Sequence, residues 1–229
     1  MVVFLELYIY SAYMVTNLSN TNTLLCCWVR EIRDMTMQGD RMRFRRNMER
    51  IGEIAAYEIS KVLPYREIEI QTPMGEVTCL ELESQPILAT ILRAGLPLHQ
   101  GLLNYFDKAD NAFVAAYRKH HRDGSFEIEQ QYFTSPGLNN KALIIADPML
   151  ATGASLCLAL QALTEYEMPT QIHIVTAIAC TVGIDFVLRK FPEAHIWAGA
   201  IDDELTARGY IVPGLGDAGD LAYGNKLQS

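Results

Sequence analysis

The chain has 229 residues, half of them apolar and a fifth charged, enough for one large domain or two small ones around a substantial core. Its formal net charge of −8 excludes a broad basic surface for nucleic acid; any phosphate must be held by a local arrangement, which favours a small-molecule site. Five cysteines without a C-x-x-C pair exclude a disulfide framework and fit a reducing cytosol, and the five histidines lack metal-site spacing.

The opening "MVVFLELYIYSAY" is apolar, yet it is too short to span a bilayer, lacks the basic start of a signal peptide and carries Glu6. No membrane segment is expected. Met14 offers an alternative start, so residues 1–13 read as a dispensable extension and residues 14–229 as one domain. From Thr23 to Leu63 the pattern is helical, in "LLCCWVREIRDM" and "NMERIGEIAAYEISKVL", where Ile51, Ile54, Tyr57 and Ile59 approximate a helical period. Between them lies "GDRMRFRRNMER", with Arg41, Arg43, Arg45, Arg46 and Arg50. Such a run is ordinarily a solvated or inter-subunit helix face; an anion-regulator site is the sharper reading. "REIEIQT" and "EVTCLEL", joined by "PMG", predict a β-hairpin within the N-terminal part, 14–85.

Five short apolar runs follow in a core over 86–201: "PILATIL" (86–92), "AFVAAY" (112–117), "ALIIA" (142–146), "IHIVTAIA" (172–179) and "HIWAGAI" (195–201). Helical patterns fit "LPLHQGLLNYF", "SLCLALQALTEY" and "VGIDFVLRKF", while the link from 117 to 142 holds a second hairpin candidate, "FEIEQQYFT". Continuous apolar strands alternating with helices predict an α/β fold, a parallel five-stranded sheet with helices on both faces. His173 and His195 alternate with apolar residues inside two of the runs and read as structural.

In open α/β sheets ligands bind beyond the carboxyl ends of the strands. The residues just past the five runs are Arg93, Arg118, Asp147, Cys180 with Thr181, and Asp202 with Asp203. Arginines and carboxylates on one edge suit a ligand that carries both phosphates and hydroxyls. Asp202 is the weaker candidate, since it can cap a following helical turn. The most specific stretch is "IIADPMLATGAS": a strand ends in Asp147, and a short loop delivers Thr152, Gly153 and Ser155 to the start of a helix. Amides at a helix N-terminus, helped by hydroxyls, cradle a monophosphate. Walker A is excluded because no G-K-[ST] is present. Near the C-terminus "GYIVPGLGDAGD" contains G-x-G-x-x-G, but Pro213 precedes Gly214 and too few residues follow for a βαβ unit, so a dinucleotide loop is not expected.

The "DPMLATGAS" loop resembles the phosphoribosyl-diphosphate (PRPP) motif of the phosphoribosyltransferases. Taken with "ILRAGLPL" and "GYIVPGLGDAGD", it is similar to the uracil phosphoribosyltransferase family, over nearly everything from about Asn17 to the end. One departure is visible. The family ordinarily has "TGGS" where this chain has Ala154, and alanine costs about 1 kcal/mol if that position needs φ > 0.

What the resemblance implies is a cytoplasmic enzyme of pyrimidine salvage that transfers 5-phosphoribosyl from PRPP to N1 of uracil, giving UMP and pyrophosphate. By similarity Asp147, Pro148, Met149, Leu150, Ala151, Thr152, Gly153, Ala154 and Ser155 hold the ribose 5-phosphate, with Asp147 on the ribose hydroxyls. Arg93, the backbone of Ala94 and Gly95, and Arg118 take the pyrophosphate. Ile211, Gly216, Asp217 and Ala218, in a C-terminal hood over 202–229, read uracil through main-chain atoms. Asp147, Asp217 and Arg93 are the implied catalytic residues. Mg²⁺ is the implied cofactor, riding mainly on PRPP oxygens, with Asp217 its candidate protein ligand and also bound to PRPP. The segment "RKHHRDGSFEIEQQYFT" is expected to form a β-arm, either a lid over PRPP or a dimer contact. A homodimer or higher homo-oligomer is expected, and GTP, which activates some relatives, is a candidate activator. A non-catalytic PRPP sensor on the same fold and a transferase for another base are the competing readings.

Overall fold

The computed structural model describes residues 14–120 and 126–225; the extension expected at 1–13 and the tip of the expected arm lie outside them. In chain order the elements are β1 (Val15–Asn17), α1 (Leu24–Arg33), α2 (Arg41–Ser60), β2 (Tyr65–Thr72), β3 (Gly75–Leu82), β4 (Ile87–Leu92), α3 (Leu96–Leu103), β5 (Asp110–His120) and β6 (Phe126–Thr134). There follow β7 (Ala142–Ala146), β8 (Met149–Leu150), α4 (Ala154–Leu163), β9 (Gln171–Cys180), α5 (Thr181–Lys190), β10 (Ala194–Asp202), β11 (Glu204–Leu205), β12 (Ile211–Val212) and α6 (Ala218–Tyr223).

The five apolar runs form the middle of one sheet, in the order β1-β10-β9-β7-β4-β5-β6, with β8 added beside β9. Every pairing is parallel except β5 with β6. Side chains alternate across the pleat. Leu88, Ile144, Ala146 and Val175 face one layer built by α1, α2 and α3, whereas Ile87, Ala89, Leu143, Ile145 and Ile174 face the other, built by α4 and α5. Two covered faces explain why these strands read as unbroken apolar runs.

The class is as expected, but among the described residues the sheet has eight strands rather than five. Val15–Asn17 joins β10 as a parallel edge, and "FEIEQQYFT" pairs antiparallel with the long end of β5, as the hairpin expected in the link after 117. Both additions cover strand edges that would otherwise present unpaired backbone groups. The arginine run lies on a helix face, as the plainer reading expected: it forms the first turns of α2, capped by Asp40, whose carboxylate accepts from the Arg43 amide at 3.0 Å.

Arg41, Arg43 and Arg46 are exposed, and several arginines of the run also make contacts within the chain. Arg43 pairs with Glu31 through two nitrogens at 2.7 and 2.8 Å, and this guanidinium, aided by Asn47, pulls the Glu31 carboxyl down to about 2. Arg46 pairs with Glu49 at 2.6 Å, and Arg50 lies over the Trp28 ring. The two sheet histidines are structural. The Trp197 indole donates to His173 Nδ1 at 3.2 Å, leaving His173 Nε2 to donate to Gln171 Oε1 at 3.0 Å, while His195 stacks on Trp197. Burial, reinforced by His195, pushes His173 down to about 4.

Candidate active site

In chain order β4 comes first among the central strands, β5 lies on one side of it and β7 on the other. The winding therefore reverses between β4 and β7, and a crevice opens beyond their carboxyl ends. Arg93 and Asp147 are the residues that leave these two strands.

The first loop is held tight. The Leu92–Arg93 peptide is cis, the Gly95 amide bonds Ile91 O at 3.0 Å, and α3 begins at Leu96. A β-carbon on Gly95 would collide with Thr90 Oγ1 and reach Ala146 O at 2.8 Å, so glycine lets this loop lie flat on the end of β7. The Arg93 guanidinium is half exposed and approaches Asp220 Oδ1 at 3.7 Å.

In the second loop Asp147 is only partly accessible. Burial pushes its carboxyl up to about 7, against a hydrogen bond from the Met149 backbone that lowers it. The next residues stay in the sheet: Pro148 O accepts from Ala177 and Ile178, and the Leu150 amide donates to Thr176 Oγ1 at 3.2 Å. Only then does the chain turn. Gly153 takes φ 78° and caps α4 without a side-chain hydrogen bond, and the amides of Thr152 and Gly153 have no hydrogen-bond partner among the described residues. These donors, followed by the first-turn amides of α4, form an anion cradle. The turn backs onto α5 through two glycines: a β-carbon on Gly153 would meet Gly183 O at 3.0 Å, and one on Gly183 would overlap Ala151 O. Ala154 is the first helical residue and is absent from the positive-φ positions, so the conformational cost considered for it does not arise.

The third part is the hood. β11 and β12 form a two-stranded ladder, Val212–Pro213 is cis, and Gly214 and Gly216 take φ of 58° and 95°. A strand does run into the glycines and a helix does leave them. The pairing is antiparallel and α6 has only six residues, so a dinucleotide fold is absent here. Asp217 caps α6, its Oδ1 accepting from the Gly219 and Asp220 amides at 2.9 and 3.1 Å. The start of α6 faces the first loop: a β-carbon on Gly219 would lie 3.8 Å from both Ala94 Cβ and Arg93 Nη2. Gly216 is open to space, with nothing near a β-carbon built on it.

Thus Arg93, Ala94, Gly95, Asp147 and the hood residues Asp217 and Ala218 gather at one sheet edge. Ile211 is buried at the base of the hood, where it sets the turn beneath Gly214. Arg118 is placed differently: β5 continues through it to His120, so it belongs to the β5–β6 ladder opposite Ile128 rather than to a loop. Asp202 caps no helical turn, because β11 follows it; its carboxylate takes Arg33 at 2.7 and 2.9 Å instead. Sequence reasoning passed over Arg33 and Asp220, and it did not foresee that Arg45, named in the arginine run, donates to Ala222 O at 2.7 Å. Only the coincidence of an arginine-rich start with a glycine-rich end hinted that the two pack together. Among the described residues no three or more of His, Cys, Asp and Glu gather to hold a metal ion, and no helix is long and apolar enough to cross a membrane.

A sheet edge on which an acidic strand end leads into a phosphate-sized helix start, with a hood standing over it, defines the phosphoribosyltransferase class. The family model described as Uracil phosphoribosyltransferase matches residues 19–225. The chain belongs to the uracil phosphoribosyltransferase family. The uracil phosphoribosyltransferase of Porphyromonas gingivalis is 50% identical over 214 residues, 93% of this chain and 99% of that protein. That of Pyrobaculum islandicum is 36% identical over 219 residues, 94% of this chain and 96% of its own length. A solved structure of a protein from Aquifex aeolicus, 31% identical, superposes with a TM-score of 0.83 over 94% of this chain and 100% of that chain.

Proposed function

We propose that this chain transfers the 5-phosphoribosyl group of PRPP to N1 of uracil, forming UMP and releasing pyrophosphate. The observation that carries the reading is the approach of the Arg93 loop to the hood helix beside the strand that ends in Asp147. A diphosphate site, a ribose site and a base site then share one crevice.

The residue roles follow from chemistry. The unbonded amides at Thr152 and Gly153, with the Thr152 and Ser155 hydroxyls, take the 5-phosphate, and Asp147 meets the ribose hydroxyls. Arg93, with the backbone of Ala94 and Gly95, holds the pyrophosphate, joined by Arg118 from the β5–β6 arm. As the C1′–O bond breaks, negative charge grows on the leaving group and positive charge on the sugar; fixed cations at one end and carboxylates at the other stabilise both. N1 of uracil then bonds C1′ and loses its proton. Positioning and electrostatics supply most of the rate.

Uracil shows two carbonyl acceptors flanking an N–H donor. The main chain at Ile211, Gly216, Asp217 and Ala218 reads that edge, and the positive φ of Gly216 turns the backbone to do so. Mg²⁺ would be held chiefly by PRPP oxygens, with Asp217 and Asp220 at the start of α6, the latter 3.7 Å from Arg93, as the carboxylates that would meet it. When bound, the ion screens and orients the diphosphate. The enzyme works in the cytoplasm as a homo-oligomer: the β2–β3 hairpin forms a separate sheet with Leu80 70% exposed, and an isolated two-stranded hairpin needs a partner. Activation by GTP at the arginine run would require displacing the Glu31 and Glu49 pairs.

The test is direct. Purified protein with uracil, PRPP and Mg²⁺ is expected to yield UMP and pyrophosphate in equal amounts; no UMP under these conditions would remove the reading.

A further inference from the structure

We infer that Arg33, in the last turn of α1, is a positioning residue for base recognition: through Asp202 and Gly214 it sets uracil affinity without touching either substrate. The inference rests on the base-reading role proposed for the hood.

The geometry is specific. Arg33 Nη1 and Nη2 donate to Asp202 Oδ2 and Oδ1 at 2.7 and 2.9 Å, and Nη1 also donates to Gly214 O at 3.1 Å. The Gly214 amide donates to Asp202 Oδ2 at 3.0 Å. Both backbone polar groups of Gly214 are therefore held by one ion pair, two residues before Gly216 and three after Ile211. Asp202, which ends β10, is 8% exposed and belongs to the rigid sheet. Arg33 is anchored in turn, since Gln38 Nε2 donates to its carbonyl at 2.8 Å and closes the turn into α2. Leu215, next in the chain after Gly214, is buried. The loop thus has a fixed floor at Gly214, beyond which the chain rises to Gly216.

The chemistry requires arginine. Three bonds to acceptors on two residues, two of them bidentate to a carboxylate, suit the guanidinium fork, whereas lysine offers a single nitrogen in place of that fork. Main-chain recognition also has no rotamer with which to compensate for a shifted loop. A displacement of a few tenths of an ångström at Gly214 carries into the donors and acceptors that meet the pyrimidine edge. The phosphate cradle, on the loop after β7, is braced separately by α5, so the 5-phosphate half of the PRPP site is held independently of this network.

The test compares steady-state kinetics of the full-length wild type, Arg33→Lys and Asp202→Asn, each with a thermal melt. The expected result is a uracil KM raised about tenfold in both variants, with the PRPP KM raised clearly less. Unchanged uracil KM in either variant that melts cooperatively overturns the inference, and so does an equal rise in both KM values, which marks general loosening. Hydrogen exchange of the wild type adds a readout that needs no variant. The segment around Gly214 is expected to be as protected as β10, and exchange as fast as at the exposed turn Ala207–Arg208 overturns the inference whatever the variants do. A wild type that makes no UMP would instead refute the proposed function, so the two failures are distinct.

Discussion

Gly95 packs so closely on the end of β7 that a β-carbon on it would lie 2.8 Å from the carbonyl oxygen of Ala146, the residue before Asp147. This contact sets how closely the loop after β4 approaches the loop after β7, and hence the separation of the proposed pyrophosphate and ribose sites. Gly95→Ala forces the loops apart, because the new carbon meets backbone on two sides. The expected outcome is a loss of about 1–3 kcal/mol in stability together with a PRPP KM raised at least tenfold. Thermal melts and initial rates check it, and an alanine variant with parental PRPP kinetics would contradict it.

Asp147 ties stability to pH. Burial raises its carboxyl from 3.8 to about 7. Between those values the folded state keeps a proton that the unfolded chain has lost, so this group disfavours folding increasingly as pH rises through the window, with no effect below it and a constant one above. Asp147→Asn is therefore expected to match the parent near pH 4 and to exceed it by about 1–3 kcal/mol above pH 7, while losing turnover. Denaturant melts across that range test it. A stability gap that does not grow with pH contradicts the assignment.

Asp217 has two tasks that one substitution separates. Its Oδ1 caps α6, which asparagine can also do, whereas the proposed mechanism needs its charge. Asp217→Asn is expected to lower stability by less than about 1 kcal/mol and turnover by about a hundredfold. Unchanged turnover would remove Asp217 from the mechanism.

Ala154 occupies helical backbone, with Gly153 alone supplying the left-handed turn. Ala154→Gly, which restores the family's ordinary residue, is expected to bring no gain in rate and to cost about 0.5–1 kcal/mol of stability through backbone entropy. A faster glycine variant would show that the cradle needs the missing flexibility.

The helices and central strands were legible because each carries a pattern that local physics enforces. "ALIIA" is apolar on both faces since two layers cover it, and β7 spans those five residues. Gly153 was legible as the turn before a helix. What the sequence concealed depends on partners far away in the chain. Val15–Asn17 is too short to signal a strand, and exists because β10 offers an open edge. Met149 and Leu150 read as loop, yet β9 recruits them into the sheet. Asp202 looked like a cap because its neighbours permit one, and only the return of α1 brings Arg33 to it, 169 residues away. The arginine run could not be assigned from composition, since Glu31 and Ala222 meet it from opposite ends of the chain.

The base-reading hood is tested most directly by the ratio of kcat/KM for uracil to that for cytosine at saturating PRPP and Mg²⁺, with UMP and CMP separated and quantified. Cytosine sets an amino group against a backbone donor, and each buried group left unpaired costs about 1–3 kcal/mol, so a preference for uracil of at least about a hundredfold is expected. Comparable rates of CMP and UMP formation would contradict recognition by the main chain at Gly216–Ala218.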